Sequence, residues 1–167
     1  MSFEVVKTEL KWIALVYDQQ GALLRLSFYN DSKKVALKTV REFLDADSVE
    51  SKKPSILARK LTKYAAGDHI DFSGIPLSPL KTLFQENVRK ACMAVGYGET
   101  ATYGELAENV GSPRAARAVG LCMRNNPIPI VVPCHRIVGS TGRLIGFSAG
   151  PGLSLKEQML KMEFVNR

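Results

Sequence analysis

TYGELAENVGSPRAARAVGLCMRNNPIPIVVPCHRIV, Thr102 to Val138, decides how this chain reads. Thr102 and Glu105 stand three apart, ahead of Leu106 and Ala107. That is the spacing of a capping box, in which the two side chains satisfy the first free N–H groups of a helix. A short helix is expected through Val110, with Gly111 ending it. Ser112 and Pro113 then suit the start of another helix, running to about Asn125. Two short helices across a Gly-containing turn, with arginines on the second, form a helix-turn-helix pattern. The same pattern also serves helical hairpins that bind nothing. Pro127, Pro129 and Pro133 exclude a helix over the next stretch, Asn126 to Pro133. Ile130-Val131-Val132 reads as a buried extended segment that delivers the chain to Cys134-His135-Arg136.

Downstream, a Gly-rich loop runs from Gly139 to Gly152. Ser154 and Glu157 form a second capping box, opening a helix with Leu155, Met159, Leu160 and Met162 as its apolar positions. Upstream, Ser78 is the expected N-cap of a helix with Pro79 in its first position. Its apolar stripe is Leu80, Leu83, Phe84, Val88, Ala91 and Val95. Ser73-Gly74-Ile75-Pro76 reads as a linker, dividing the chain into domains 1–76 and 77–167. In the first part, Trp12–Tyr17 and Ala22–Phe28 read as strands of a hairpin around Asp18-Gln19-Gln20-Gly21. Lys33–Leu44 and Ser55–Ala66 have helical spacing, the latter closed by Gly67, and His69–Phe72 is a short extended candidate.

Composition narrows the classes. The chain has 167 residues, 46% of them hydrophobic, and a net charge of +7. That is an ordinary globular composition, with no apolar run of the roughly 20 residues that span a bilayer. The opening residues, Met1 to Lys11, lack the basic start and apolar run of a signal peptide. Three cysteines do not make a disulfide scaffold, so a reducing intracellular compartment, the cytoplasm or a nucleus, is expected. Two histidines and no C-x-x-C argue against a metal site. Residues 1–76 carry 12 basic and 10 acidic residues, and residues 77–167 carry 11 and 6. Ser112 to Phe147 holds Arg114, Arg117, Arg124, Arg136 and Arg143 and no acid. Arg presents a planar fork to phosphates and base edges and can stack in a base's place, so an anionic partner is expected.

The chemistry gathers at Cys134. A thiol reacts as its thiolate, which needs a base or a positive field nearby, and His135 and Arg136 are candidates for both. Adjacency does not guarantee a hydrogen bond between thiol and imidazole, since neighbouring side chains often diverge; a water between them could carry the proton. A carboxylate behind the imidazole would orient it. With Glu157 assigned to a cap, Glu163 is the candidate. The bland alternative for any intracellular cysteine is a packing residue, and Cys92 and Cys122 are read that way.

Ala115-Ala116-Arg117-Ala118-Val119-Gly120, Asn126-Pro127 and Ile130 through Val138 strongly resemble the O6-alkylguanine-DNA alkyltransferases. Tyr103-Gly104-Glu105-Leu106-Ala107 and Lys156 to Glu163 extend the likeness over about residues 77–167. The resemblance implies an α+β fold. Its first domain would be small, α/β, with an antiparallel sheet (ribonuclease H-like). Its second would be helical, with a winged-helix-like helix-turn-helix. It implies a DNA-repair transferase that moves an alkyl group from O6 of guanine, or O4 of thymine, irreversibly to Cys134, once per molecule. His135 would take the thiol proton through water, and Glu163 would orient it. Arg117 would fill the stack after the nucleotide flips out. Tyr103 would crowd the phosphate and donate to the departing guanine. Ser148 would bond the O6 atom, and Asn126 would tie the helix-turn-helix to the active-site strand. Pro129 and Phe147 would line the pocket. The carbonyls of Cys134 and Ile137 would read the guanine amino group. Small Ala115, Ala116 and Gly120 would let the second helix approach the minor groove of double-stranded DNA, with Arg124 and Arg136 at the DNA and substrate side. A monomer without cofactor is implied. The pattern departs from the family's in three ways: a loop about two residues longer at Gly146–Leu153, Phe147 where tyrosine is common, and no cysteine in residues 1–76 for the zinc some members carry. Two other readings stand beside it. One is a non-catalytic binder of alkylated DNA, whose relatives replace the cysteine. The other is a cysteine hydrolase, which would need an oxyanion hole and turnover.

Overall fold

The computed structural model describes residues 1–167, and the chain divides into two compact units, Met1–Ser78 and Pro79–Arg167. Together they form a mixed α+β architecture with small sheets and six α-helices.

The first unit is a four-stranded sheet in the order β3-β2-β1-β4. β1 (Ser2–Thr8), β2 (Lys11–Tyr17) and β3 (Leu23–Asn30) are antiparallel, and β4 (Val49–Glu50) runs parallel to β1. Ile13 to Val16 are all buried, because β2 is central and covered on both faces. On one face α1 (Lys33–Val40) closes a core of Ala14, Val16, Ala36 and Val40, with Phe3, Val5 and Trp12 packed around it. The expected helix to Leu44 is shorter: Arg41–Phe43 tighten into a 3-10 turn, and Phe43 and Leu44 fold back onto that core. α2 (Ile56–Ala65) packs against β1. Ser55 caps it, accepting from Ala58 N at 3.0 Å, and Ser55 N donates to Glu4 Oε2 at 3.0 Å. Glu4 alternates with Phe3 and Val5, so α2 covers the face opposite α1.

β1 has no counterpart among the expected strands. Its inward-facing Glu4 spoils the apolar alternation that marks a strand. His69–Phe72 forms no strand; Phe72 packs edge-on against Tyr64, with ring centroids 5.8 Å apart. Ser78 is not an N-cap either. Its hydroxyl donates to Asp18 Oδ2 at 2.6 Å, while Leu23 N donates to Pro76 O at 2.8 Å. The residues read as a linker are thus stitched to the start of β3.

In the second unit Thr82 caps α3 (Leu83–Met93), which buries Val88 and Cys92. Thr102 and Glu105 form the expected capping box at the start of α4 (Tyr103–Asn109). α5 (Ala116–Arg124) starts later than Ser112. Ser112 N donates to Ala107 O at 2.8 Å, so Ser112 finishes α4 instead of opening α5, and a single turn to Ala115 leads into α5. A short parallel pair, β5 (Ala101–Thr102) with β6 (Ile137–Val138), sets the start of α4 beside the segment after Cys134. α6 (Leu153–Val165) has Gly152 at its N-cap at φ +69°, and no capping box forms at Ser154. Ser154 lies inside the first turn and donates to Pro151 O, and Glu157 pairs with Lys161. No helix is long and apolar enough to cross a membrane.

Candidate active site

Ile130-Val131-Val132 is buried, as expected, but it is folded rather than extended. Ile128 to Val132 make a turn closed by Val132 N to Ile128 O at 2.9 Å. Ile130 sits at φ +73°, a conformation that costs a β-branched residue about 1–3 kcal/mol. Asn126 holds the turn. Its Nδ2 donates to Val132 O at 2.8 Å, and its Oδ1 accepts from Ile128 N at 3.0 Å. The prolines that excluded a helix also make a tight turn easy, which is why the strand reading fails.

Cys134, His135 and Arg136 lie next on one 3-10 turn, all buried. Three residues per turn spread successive side chains about 120° apart, so the thiol and the imidazole diverge. The imidazole and the guanidinium instead converge on Glu163 of α6. His135 Nε2 lies 2.8 Å from Glu163 Oε1. Arg136 Nε donates to Glu163 Oε2 at 2.9 Å, and its Nη2 donates to Oε1 at 3.0 Å. Gly98 N adds a third donor residue at 3.2 Å. Burial alone would push the Glu163 carboxyl up, but the bonds and charges of His135 and Arg136 overcome it and hold the group well below the carboxylate range. An ionised carboxylate only accepts, which assigns the proton to His135 Nε2 and makes Nδ1 the basic nitrogen. Burial keeps His135 below its ordinary value despite Glu163, so the ring rests neutral, as a base must.

Burial pushes the Cys134 thiol up, opposed by the Asn126 amide, Lys156 and nearby backbone groups. The resting group is therefore a thiol that needs a base. Cys92 is buried and raised well above its ordinary value, which agrees with a packing role. Cys122 is half-buried on α5.

Arg136 corrects the expectation that it faces DNA or substrate. It is buried, its Nη1 donates to Val95 O at 2.7 Å, and its guanidinium lies 5.7 Å from the Tyr97 ring centre. It clamps Glu163. Arg117 and Arg124 are exposed at the two ends of α5, with Arg114 just before it and Arg143 in the loop. Ala115 and Ala116 are half-buried at the start of α5, and a Cβ on Gly120 would touch the Tyr103 ring at 3.8 Å. Tyr103 OH donates to Ile145 O at 3.3 Å. Ser148 is exposed, and its hydroxyl donates to Arg124 O at 3.4 Å rather than into the thiol's surroundings. Phe147 and Pro129 are half-buried. The Ile137 carbonyl already accepts from Lys156 Nζ at 2.5 Å, leaving it one lone pair. Lys156 is the polar member of this site that reading the sequence missed. Its only signal is a lysine beside Leu155 and one turn before Met159, on the stripe α6 buries. No cluster of side chains suits a metal ion.

Comparison with known proteins places the chain in a family. Residues 83–165 match the family model described as 6-O-methylguanine DNA methyltransferase, DNA binding domain. The chain is 39% identical to a methylated-DNA–protein-cysteine methyltransferase of Methanosarcina barkeri, over 98% of this chain and 97% of the relative. The chain belongs to that family. A Mycobacterium leprae member is 49% identical over 62% of this chain and 61% of its own length. Among solved structures, Mycobacterium tuberculosis OGT in complex with DNA superposes with a TM-score of 0.78 at 30% identity, covering 99% of this chain and 94% of that one. The O6-methylguanine-DNA methyltransferase of Pyrococcus kodakaraensis gives 0.73 at 27% identity, covering 96% and 98%. The family is named for transfer of a methyl group from DNA to a protein cysteine.

Proposed function

We propose that this chain is a DNA-repair methyltransferase whose acceptor is Cys134. The observation that carries this is the buried relay of His135, Glu163 and Arg136 on the turn that holds the thiol. His135 Nδ1 takes the thiol proton through a water. The thiolate Sγ attacks the alkyl carbon of O6-alkylguanine, an S–C bond forms, and the C–O6 bond breaks. The electron pair leaves on the guanine, and Tyr103 O–H supplies the proton that restores the base. The product thioether has no good leaving group, so each molecule acts once.

The target atom lies inside the duplex, so the nucleotide must flip, at a cost of a few kcal/mol. Arg117, exposed on the first turn of α5, suits filling the gap. Ala115, Ala116 and Gly120 keep that face of α5 low enough for the minor groove. Arg114, Arg124 and Arg143 supply phosphate affinity that does not depend on sequence. Asn126 holds the turn beneath the nucleophile. Ser148, after a movement away from Arg124, bonds the O6 atom, with Phe147 and Pro129 as walls. The carbonyls of Cys134 and Ile137 face the guanine amino group. Residues 77–167 act as the DNA-binding and transfer domain, winged-helix-like. Residues 1–76 form a ribonuclease H-like domain, with which the strand order β3-β2-β1-β4 agrees. The protein works inside the cell as a monomer on double-stranded DNA.

The test is intact-mass measurement after incubation with a duplex carrying O6-methylguanine. One added methyl group per chain, mapped to Cys134 and absent in Cys134→Ala, is the expected result. Multiple turnover on a small ester without inactivation would favour a hydrolase instead. Tight binding of alkylated DNA with no transfer would favour a pure binder.

A further inference from the structure

The first unit carries its charge unevenly. Residues 31–50 hold four bases and five acids, whereas residues 51–67 hold five bases and no acid. The five are Lys52, Lys53, Arg59, Lys60 and Lys63. Local structure gathers them. α2 buries Leu57, Ala58, Leu61, Tyr64 and Ala65 and packs against β1. Arg59 and Lys63 stand four residues apart, share the opposite face and are both exposed. Lys60 is half-buried beside them. Lys52 and Lys53 are exposed in the segment that leads into Ser55, the cap of α2.

None of the five forms an ion pair; those of the first unit belong to the amino terminus, Lys11 and Lys33. Arg59 Nη1 donates to Pro54 O at 2.7 Å, and Lys60 Nζ donates to Asp71 O at 2.6 Å. Main-chain oxygens thus steady two of the heads without cancelling their charge. Two acids follow the row, Asp68 and Asp71. The Asp71 carboxylate is occupied, accepting from Ser73 N at 2.7 Å and Ser73 Oγ at 2.5 Å. α1 is the contrast. Its Lys33 pairs with Glu50 at 2.6 Å, and acids are interleaved around it, as on an ordinary solvated face. The ten residues of α2 run about 15 Å, the axial rise of about four nucleotides of one DNA strand. Lysine is a compact point charge that meets phosphates without reading bases. We propose that the outer face of α2, with Lys52 and Lys53 before it, binds the phosphate backbone of duplex DNA. It is a sequence-independent contact made by the first unit, additional to that of α5. The inference rests on the DNA-binding part of the function proposed above, and not on alkyl transfer.

The test is the salt dependence of binding, measured on full-length protein with an undamaged duplex of several helical turns. Each lysine that meets a phosphate contributes about 0.9 to the slope of log affinity against log salt. Lys52→Ala, Lys53→Ala and Lys63→Ala combined should therefore flatten that slope by about 2 to 3. Lys33→Ala, Lys34→Ala and Lys38→Ala combined remove the same charge from α1 and should flatten it by less than about 1. Transfer from free O6-methylguanine nucleoside should run at the wild-type rate in both variants. An unchanged slope in the first variant overturns the proposal. Equal flattening in the two variants also overturns it, since net charge alone would then be responsible. Flattening with duplex RNA and not with duplex DNA overturns it in favour of an RNA surface. If the first triple variant fails to fold, Lys52→Ala with Lys53→Ala decides alone, because both lie outside α2; its slope should flatten by about 1 to 2. A wild-type chain that binds no duplex would remove the DNA-binding reading and this contact with it. A wild-type chain that binds duplex but transfers nothing would remove only the transfer.

Discussion

Each unit of this protein buries one glutamate, and the two are held in opposite ways. Glu4, 2% exposed on β1, accepts from the Tyr17 hydroxyl at 2.6 Å and the Ser55 amide at 3.0 Å, both neutral donors. Glu163, 0% exposed on α6, accepts from a guanidinium, an imidazole and a backbone amide. In the first unit the carboxylate fastens a helix to a strand and does nothing else. In the second, the contact that fastens α6 to the Cys134 turn also fixes the His135 ring, the base of the proposed transfer. There, stability and chemistry cannot be altered separately.

The comparison breaks most visibly at Glu163. Glu163→Ala leaves the Arg136 charge buried without a counter-charge, a loss of about 3–5 kcal/mol. Urea unfolding tracked by far-UV circular dichroism should register it, and the transfer rate should fall with it. Acid is a milder way to the same end. Glu163 is held low, so its stabilisation is complete above the ordinary carboxylate value of 4.5 and drains away as pH falls below it. His135 is also held below its ordinary value of 6.5, so the unfolded chain takes up that proton first and stability falls again on acidification. Both signs agree. The melting temperature should drop as pH is lowered from 7, and Glu163→Gln should flatten the most acidic part of the curve.

Glu4→Gln should cost less, about 1–2 kcal/mol, because it weakens bonds to neutral donors and strands no charge. Trp12 is the single tryptophan and lies on β2 of the same unit, so its fluorescence reports that loss directly. Transfer should proceed at the wild-type rate; a fall as large as that of Glu163→Ala would erase the distinction between the units. Smallest in stability is Arg117→Ala, an exposed substitution expected to stay within about 0.5 kcal/mol. Its effect should appear only in repair of duplex DNA, as a lower transfer rate.

Legibility in the sequence divides along similar lines. The hairpin of β2 and β3, both helices of the first unit, the capping box at Thr102 and the Cys134-His135…Glu163 constellation are all readable. Each rests on a local rule: alternation, capping spacing, or a nucleophile beside a base. The failures are places where a distant partner overrides the local rule. β1 hides because Glu4 points inward to meet Ser55, fifty-one residues on. Ser78 has the look of a cap but is claimed by Asp18, sixty residues back. Arg136 has the look of a DNA contact and is taken by Glu163. Lys156 is hard to see because α6 buries Leu155, Lys156, Met159 and Glu163, two apolar and two charged residues, so apolar spacing alone does not place a lysine on its inner face.

Glu163 also stands in the last turn of α6, which ends at Val165. Helix ends ordinarily fray before helix middles. This end is pinned, because Glu163 is fully buried and bonded to His135, Arg136 and Gly98. On gentle heating the last turn of α6 should therefore stay closed until the second unit itself melts, and the transfer reaction should fade together with the fold. Amide exchange at Glu163, set against exchange along α4 and α5, would show whether they open as one.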